Sequence, residues 1–180
     1  MTLTIHGITA SRAIRPLWAA TELGLDFRHI NTPYQGGATR TPAFLALNPN
    51  GHIPVLVDAR TDGDVVVWES MACALYVARH HGQADGRSIT PATAREDAEA
   101  LRWSFWAVNE TESDALTVLM HRLAMPEERR RPEVAEAAER RLAVPFRVIE
   151  QHLARQRAAG MAHLAALGGR EARNIGNHWL

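Results

Sequence analysis

An α/β N-terminal unit followed by an all-α C-terminal unit is the fold class this sequence predicts. Three observations carry it. Strand, helix and strand patterns succeed one another within residues 2–31, two further strands and a helix follow before residue 82, and strand signals vanish from Thr93 onward.

The elements follow in order. Residues 2–6, TLTIH, alternate as a short strand does. After a turn from Gly7 to Ala10, Ser11 stands where a helix N-cap belongs. Ile14, Leu17, Trp18, Thr21 and Leu25 then recur at helical spacing, with Gly24 as the stop. Residues 26–31, DFRHIN, return to a strand pattern, which completes a βαβ unit and implies parallel pairing. A loop carrying Gly36-Gly37 leads to a short helical piece from Pro42 to Leu47. Val55-Leu56-Val57 and Val65-Val66-Val67-Trp68, joined by a turn at 61–64, form an antiparallel hairpin. Glu69-Ser70 opens a helix, MACALYVARHH, that ends at Gly82 with Arg79, His80 and His81 in its last turn, where cations suit the helix dipole.

The polar stretch 83–92, QADGRSITPA, reads as a linker. Thr93-x-x-Glu96 resembles a capping box for a long helix that carries Leu101, Trp103, Phe105, Trp106, Val108, Leu116, Leu119 and Met120 and ends before Pro126. The aromatic residues there read as packing rather than ligand contacts. Residues 127–133, EERRRPE, read as a solvated turn. A second helix runs from about Pro132 past Leu153, with Pro145 as a kink or close-packing point. The expected domains are therefore 1–82, a linker at 83–92, and an all-helical 93–180.

Composition narrows the function classes. With 20 basic and 20 acidic residues, nothing favours nucleic acid or a membrane surface. All the basic residues are Arg, a bias that fits GC-rich coding. The first residues carry no signal-peptide pattern and no apolar run approaches a membrane span, so a cytoplasmic location is expected. One cysteine, Cys73, excludes an intrachain disulfide and a Cys-x-x-Cys pair; inside an apolar helix it reads as an inert core residue. The nine histidines include no pair at ligand spacing with carboxylates, so no metal is assigned.

The stretch NPNGHIPVLVD, residues 48–58, raises a question. Pro54 fronts a buried-looking strand, although proline cannot donate to a ladder and belongs at a strand's first residue, an edge or a bulge. Either it is punctuation after the Asn50-Gly51 turn, or the chain stays unpaired there because something else pairs with it. Glu69-Ser70 likewise is either an ordinary helix opening or an anion site at a helix N-terminus.

Three segments, Ser11-Arg-Ala-Ile-Arg-Pro-Leu-Trp, Asn48-Pro-Asn-Gly-His-Ile-Pro-Val-Leu and Trp68-Glu-Ser, stand within the order βαβ–loop–ββα. Together they resemble the thioredoxin-like domain of glutathione transferases, in the style of bacterial members with an active-site serine. The resemblance is close over 1–82 and extends through the long helices to about residue 153. It implies a cis Ile53–Pro54 bond, with the Ile53 backbone pairing with the cysteinyl part of glutathione as an added strand would. It implies that Ser70 and its helix N-terminus take the γ-glutamyl carboxylate, with Glu69 facing the neighbouring ammonium. His52 falls where the family often places Lys or Gln against the glycyl carboxylate, so affinity is expected to rise as pH falls toward about 6. Ser11 becomes the catalytic residue, donating a hydrogen bond to the glutathione sulfur, with Thr9 as the other possible donor. Arg12 either adds positive potential or is solvated.

The implied activity is glutathione S-transfer to a small hydrophobic electrophile, on a homodimer whose helical domain walls the electrophile pocket. A glutathione-dependent peroxidase or disulfide reductase is a close variant. The alternatives are a non-catalytic glutathione-binding or interaction protein of the same fold, or an inactive truncated copy. That last reading comes from residues 154–180, ARQRAAGMAHLAALGGREARNIGNHWL, which lack the Ser/Thr-x-x-Asp motif the family places there and contain no Asp. Truncation or a frame change near residue 154 is expected, with a divergent natural end as the alternative; loss of the buried helix would expose apolar faces of the two long helices.

Overall fold

The computed structural model describes residues 2–84 and 87–166. By its contacts the chain divides into two compact units, Met1–Leu101 and Arg102–Leu180. The division falls inside a helix, later along the chain than the composition change at 83–92.

The first unit is a four-stranded mixed sheet in the order β2-β1-β3-β4 with helices packed on it. β1 (Thr2–His6), α1 (Ile14–Glu22) and β2 (Phe27–Ile30) are the βαβ unit read from the sequence, and β1 pairs with β2 in parallel. β3 (Val55–Ala59) and β4 (Val65–Trp68) form the hairpin, and β3 also runs antiparallel to β1. Alternation along β1 sends Leu3 and Ile5 to one face, where they meet Leu17 and Ala20 of α1, Leu23 just past its end, and Cys73 and Val77 of α3 (Ser70–His80). Full burial of each larger aliphatic side chain stabilises the fold by about 1.5–3 kcal/mol.

Short α2 (Pro42–Leu47) begins as its sequence says, with Pro42 at the first position and the Thr41 hydroxyl accepting from Phe44 N–H at 3.2 Å. Two expectations need correction. Ser11 does not cap α1. The helix starts at Ile14, and Ser11 instead closes the turn before it, its Oγ accepting from Ala13 N–H at 3.1 Å. The stretch 83–92 is not wholly irregular, because Gln83–Ala84 (β5) pairs with Arg87–Ser88 (β6) as a two-residue ribbon.

Gly7 makes the β1–α1 connection possible. Its φ is 147°, and a Cβ there would lie 2.5 Å from the Ala13 Cβ. Only glycine lets the turn fold this closely onto the start of α1.

One buried carboxylate ties β3 to the end of α3. Asp58 has no exposed surface, and its Oδ2 accepts from Tyr76 Oη at 2.8 Å, His81 Nε2 at 2.9 Å and Arg60 Nε at 2.9 Å. Burial alone would raise this carboxyl. The hydrogen bonds from His81, Tyr76 and Arg60 outweigh burial and hold it below its ordinary value of 3.8.

The capping box at 93–96 is present in a shifted form. Glu96 N–H donates to Thr93 Oγ1 at 3.2 Å, while the Glu96 carboxylate reaches back to Ala92 N–H at 2.7 Å. The helix it opens is not uniform. α4 (Ala94–Trp106) and α5 (Glu112–Leu119) are separated by a π-helical turn at Ala107–Thr111, and a second one, Met120–Ala124, follows α5. α6 (Pro132–Ala166) packs along α5, burying Ala135, Ala138 and Leu142, and contains Pro145. Arg141 grips Asp114 with two nitrogens and Arg122 grips Glu139 likewise, but these pairs are largely exposed and worth little each. Trp103 packs edge-on to Trp106 and against the His152 ring, as expected of core aromatics; Phe105 does not, being 62% exposed. Apolar side chains stand exposed in the helical unit at Leu119, Leu123, Val144, Phe146 and Leu153. α6 runs through residues 154–166 without a break, and the rest of the atypical segment, 167–180, lies outside the described residues.

Asp58→Asn is expected to cost about 3 kcal/mol in urea unfolding, because it leaves Arg60 and His81 facing a neutral group in a closed site. A depressed carboxyl contributes its stability above the unfolded value and loses it as pH falls through the folded one. The gap between wild type and Asp58→Asn should therefore be constant above about pH 5 and shrink below the ordinary value of 3.8.

Candidate functional site

Sheet register collects the candidate residues. His6 stands opposite Val55, and Val55 opposite Trp68, so the next residue outward on each strand belongs to a turn at the same end of the sheet. Those turns are Gly7 to Ala13, the approach to β3 through Ile53-Pro54, and Glu69-Ser70 at the start of α3. Tight contacts join them. A Cβ on Gly7 would lie 3.6 Å from Ile53 Cβ, and Arg15 Nη1 donates to Ser70 Oγ at 2.6 Å.

The Ile53–Pro54 bond is cis. Pro54 is buried, and β1 and β4 take up the ladder only from Val55 onward. Among the described residues, neither the N–H nor the C=O of Ile53 has a hydrogen-bond partner. A backbone donor and acceptor at the end of a central strand are thus left for an extended ligand.

Glu69 is the only non-glycine residue with positive φ among the described residues, at φ 72° and ψ 119°. That backbone turns the chain sharply from β4 into α3 and leaves the Glu69 side chain exposed. Its carbonyl accepts from Cys73 N–H at 2.9 Å, so the helix proper begins at Ser70. The first N–H groups of α3 have no carbonyl a turn earlier to bond, and the buried Ser70 hydroxyl lies beside them.

Ser11 is half-buried. Its hydroxyl donates to Ile8 C=O at 2.7 Å while the same oxygen accepts from Ala13 N–H. Thr9, the other candidate donor, is exposed on the same turn. His52 is exposed, and its carbonyl accepts from the buried Asn48 amide at 2.8 Å, which fixes the loop leading into Ile53. Cys73 is buried, its thiol donating to Val67 C=O at 3.3 Å, and burial pushes its pKa up to about 12. No thiolate is to be had from it near neutrality.

Two arginines of this region escaped the sequence reading. Arg15 reaches from the first turn of α1 to Ser70. Arg40 lies over the Asn50-Gly51 turn, with Nη1 donating to Asn50 C=O at 3.2 Å and only 2.6 Å from where a Gly51 Cβ would stand. It therefore brings a permanent cation onto the turn that immediately precedes His52 in the chain. An apolar hollow of about 330 Å³ beside α2, lined by His6, Thr32, Phe44 and Leu47 among others, does not include these residues. Among the described residues no three His, Cys, Asp or Glu gather to hold a metal, and no helix is long and apolar enough to cross a membrane.

Comparison with known proteins bears on this geometry directly. The family profile described as "Glutathione S-transferase, N-terminal domain" matches residues 11–80. The chain is 34% identical over 161 residues to "Glutathione S-transferase 3" of Zea mays, covering 86% of this chain and 68% of that protein. It belongs to the glutathione S-transferase family. It is also 32% identical to "Glutathione S-transferase GstB" of Escherichia coli strain K12, over 85% of this chain and 72% of that one. Among solved structures, glutathione S-transferase III in its apo form superposes with a TM-score of 0.69 at 28% identity, covering 86% of this chain and 70% of the other. Ure2p in complex with glutathione superposes at 0.73 with 20% identity, over 94% and 69%, a likeness of fold alone. The thioredoxin-like sheet followed by helices is thus the fold of the glutathione S-transferases in this chain too.

A non-glycine residue held at φ 72° stores about 1–3 kcal/mol. Glu69→Gly is accordingly expected to unfold at higher temperature than Glu69→Ala, reversing the ordinary order in which glycine is the less stable of the two. Thermal unfolding of the two variants checks it.

Proposed function

We propose that the chain is a glutathione transferase that binds glutathione across Ile53-Pro54 and Glu69-Ser70 and conjugates its thiolate to a small hydrophobic electrophile. The observation that carries this reading is the unpaired Ile53 backbone, set between the Ser11 turn and the N-terminus of α3. An extended tripeptide fits that arrangement: its cysteinyl backbone pairs with Ile53, its γ-glutamyl carboxylate meets Ser70 and the helix N-terminus, and its ammonium meets Glu69. Arg40 and His52 receive the glycyl carboxylate at the other end. A homodimer is the assembly this reading expects.

Ser11 is the proposed catalytic residue, acting as a hydrogen-bond donor to sulfur and not as a base. Depressing a thiol by two pKa units requires about 2.7 kcal/mol of preference for the thiolate. A charge-assisted hydrogen bond is worth about 1.5–3 kcal/mol and a helix dipole about 0.3–1. The Ser11 proton, however, is held by Ile8 C=O at 2.7 Å. Turning it to sulfur exchanges a neutral hydrogen bond worth about 0.5–1.5 kcal/mol for the stronger one, so the net gain is nearer 1.5 kcal/mol.

Ser11→Ala is therefore expected to lower kcat/KM for an aromatic halide about tenfold, the rate equivalent of that net gain, with glutathione affinity almost unchanged. Equal turnover by the variant would remove Ser11 from the chemistry. The same hydrogen bond to Ile8 favours a second reading, a non-catalytic glutathione-binding protein of the same fold. Retention on immobilised glutathione without turnover by the wild type would support it.

A further inference from the structure

Only glycine fits where Gly7 leads from β1 toward α1, and glycine is also the most pliable residue that could stand there. Its N–H donates to Ile30 C=O at 3.0 Å, which carries the parallel pairing one step past β1. Beyond Ile30 the edge strand β2 ends, with the Thr32 hydroxyl turned back onto Ile30 C=O at 3.3 Å. The ladder then has no further rung for the buried Gly7 C=O, and a side chain supplies its donor: His29 Nε2 lies 2.8 Å away. A carbonyl only accepts, so Nε2 carries the proton and donates. His29 itself is exposed on the sheet edge. The next carbonyl along the chain, Ile8 C=O, accepts the Ser11 proton at 2.7 Å, and Ser11 Oγ accepts from Ala13 N–H at 3.1 Å. A short relay of bonds thus runs from the imidazole to the hydroxyl.

We propose that His29 is a positioning residue for Ser11: by holding Gly7 C=O against β2, it sets where the turn after β1 presents the Ser11 hydroxyl to the glutathione sulfur. The inference rests on the glutathione reading above and deepens it. His29 touches no part of the ligand in this scheme; it acts by removing freedom. A peptide unit is planar, so a bond to Gly7 C=O fixes the direction in which Ile8 leaves. Without that bond the glycine is restrained at its N–H alone, and a turn that opens on glycine swings readily. A hydrogen bond weakens steeply as its donor leaves the line to its acceptor, so a hydroxyl on a swinging turn stabilises a thiolate less. The groups proposed to bind the tripeptide, Ile53 and the start of α3, stand on other elements and keep their places. Loss of the imidazole therefore alters the chemistry of bound glutathione and spares its affinity. The effect is also bounded. Whatever His29 contributes passes through Ser11, so it cannot exceed the roughly tenfold that Ser11 itself carries.

The experiment titrates glutathione bound to the full-length protein by the ultraviolet absorbance of its thiolate, and measures kcat and KM for an aromatic halide beside it. His29→Leu should raise the pKa of the bound thiol by about 0.5–0.7. At a pH below that pKa, kcat at saturating glutathione should fall about three- to fivefold, the same change read as thiolate fraction. Affinity for glutathione, by calorimetry, should change less than about twofold. His29→Gln, whose amide N–H can reach the same carbonyl, should recover most of the loss. In a Ser11→Ala background His29→Leu should cost nothing further, since the two residues act as a unit. If His29→Leu does not fold, His29→Thr, suited to a strand and too short to reach Gly7, takes its place. An unchanged thiol pKa, equal losses in the Leu and Gln variants, or additive losses with Ser11→Ala overturn the proposal and leave His29 a polar residue of the sheet edge. Wild type that binds glutathione without lowering its thiol pKa overturns the Ser11 chemistry and the His29 role with it, and leaves the binding site standing. Wild type that binds no glutathione overturns the glutathione reading and this inference together.

Discussion

Three residues standing abreast in the sheet, His6, Val55 and Trp68, set the position of everything that follows. Strand side chains alternate faces, so a slip of one residue between β1 and β3 would turn Leu3 and Ile5 out of the core, and the hydrophobic pattern forbids it. The apolar core thus enforces a register, and the register delivers three turns to one end of the sheet. Gly7 then allows the first of those turns to close on Ala13, and the start of α1 comes within reach of α3. Function here is a by-product of packing in a specific sense: the residues that could meet a ligand are those just beyond the last paired row.

That end of the sheet is also where the chain departs from comfortable geometry. Glu69 is held at positive φ without the glycine that would make it easy, and Ser70 is buried with its oxygen accepting from Arg15. Both departures concern the same junction, β4 into α3, and the structure around them is otherwise well satisfied. Asp58, at the other end of α3, shows the contrast. There a buried carboxylate gathers donors from His81, Tyr76 and Arg60 and anchors the last turn of the helix to β3. One end of α3 is fastened by hydrogen bonds to a buried carboxylate, and the other carries the first N–H groups of the helix, which have no carbonyl a turn earlier to bond. Under the proposed function that second end is the one that would receive the ligand's carboxylate.

Much of this was legible in the sequence, for identifiable reasons. Alternation in TLTIH, the valine runs at 55–57 and 65–68, and Pro42 after Thr41 are local signals, and the elements formed where those signals lie. Ser11 was misread because a serine before an apolar run looks the same whether it caps the helix or closes the turn ahead of it; only the chain path through Gly7 distinguishes them. The π-helical turns at 107–111 and 120–124 left no trace, since one extra residue per turn does not disturb an apolar pattern over so short a span. Arg15 and Arg40 were missed for a deeper reason. Each acts across the fold, on Ser70 and on the Asn50-Gly51 turn, and in a chain whose cations are all arginine neither stands out by composition.

The same distinction bears on how a serine can serve a thiol at all. Ser11 gives its proton to Ile8 and receives one from Ala13, so the resting turn satisfies it completely. A hydroxyl in that state contributes to catalysis only the difference between two hydrogen bonds, and that difference is small. Under the proposed function the rest of the thiolate stabilisation would have to come from elsewhere, such as the dipole of α1, because the N–H groups of Ala13, Ile14 and Arg15 are already bonded to the turn before the helix. In that reading, positioning of the tripeptide would govern whether the sulfur is brought there. On the proposed reading the balance of forces thus moves weight from Ser11 to the groups proposed to hold the two ends of the tripeptide, Ser70 and Glu69 at one and Arg40 and His52 at the other.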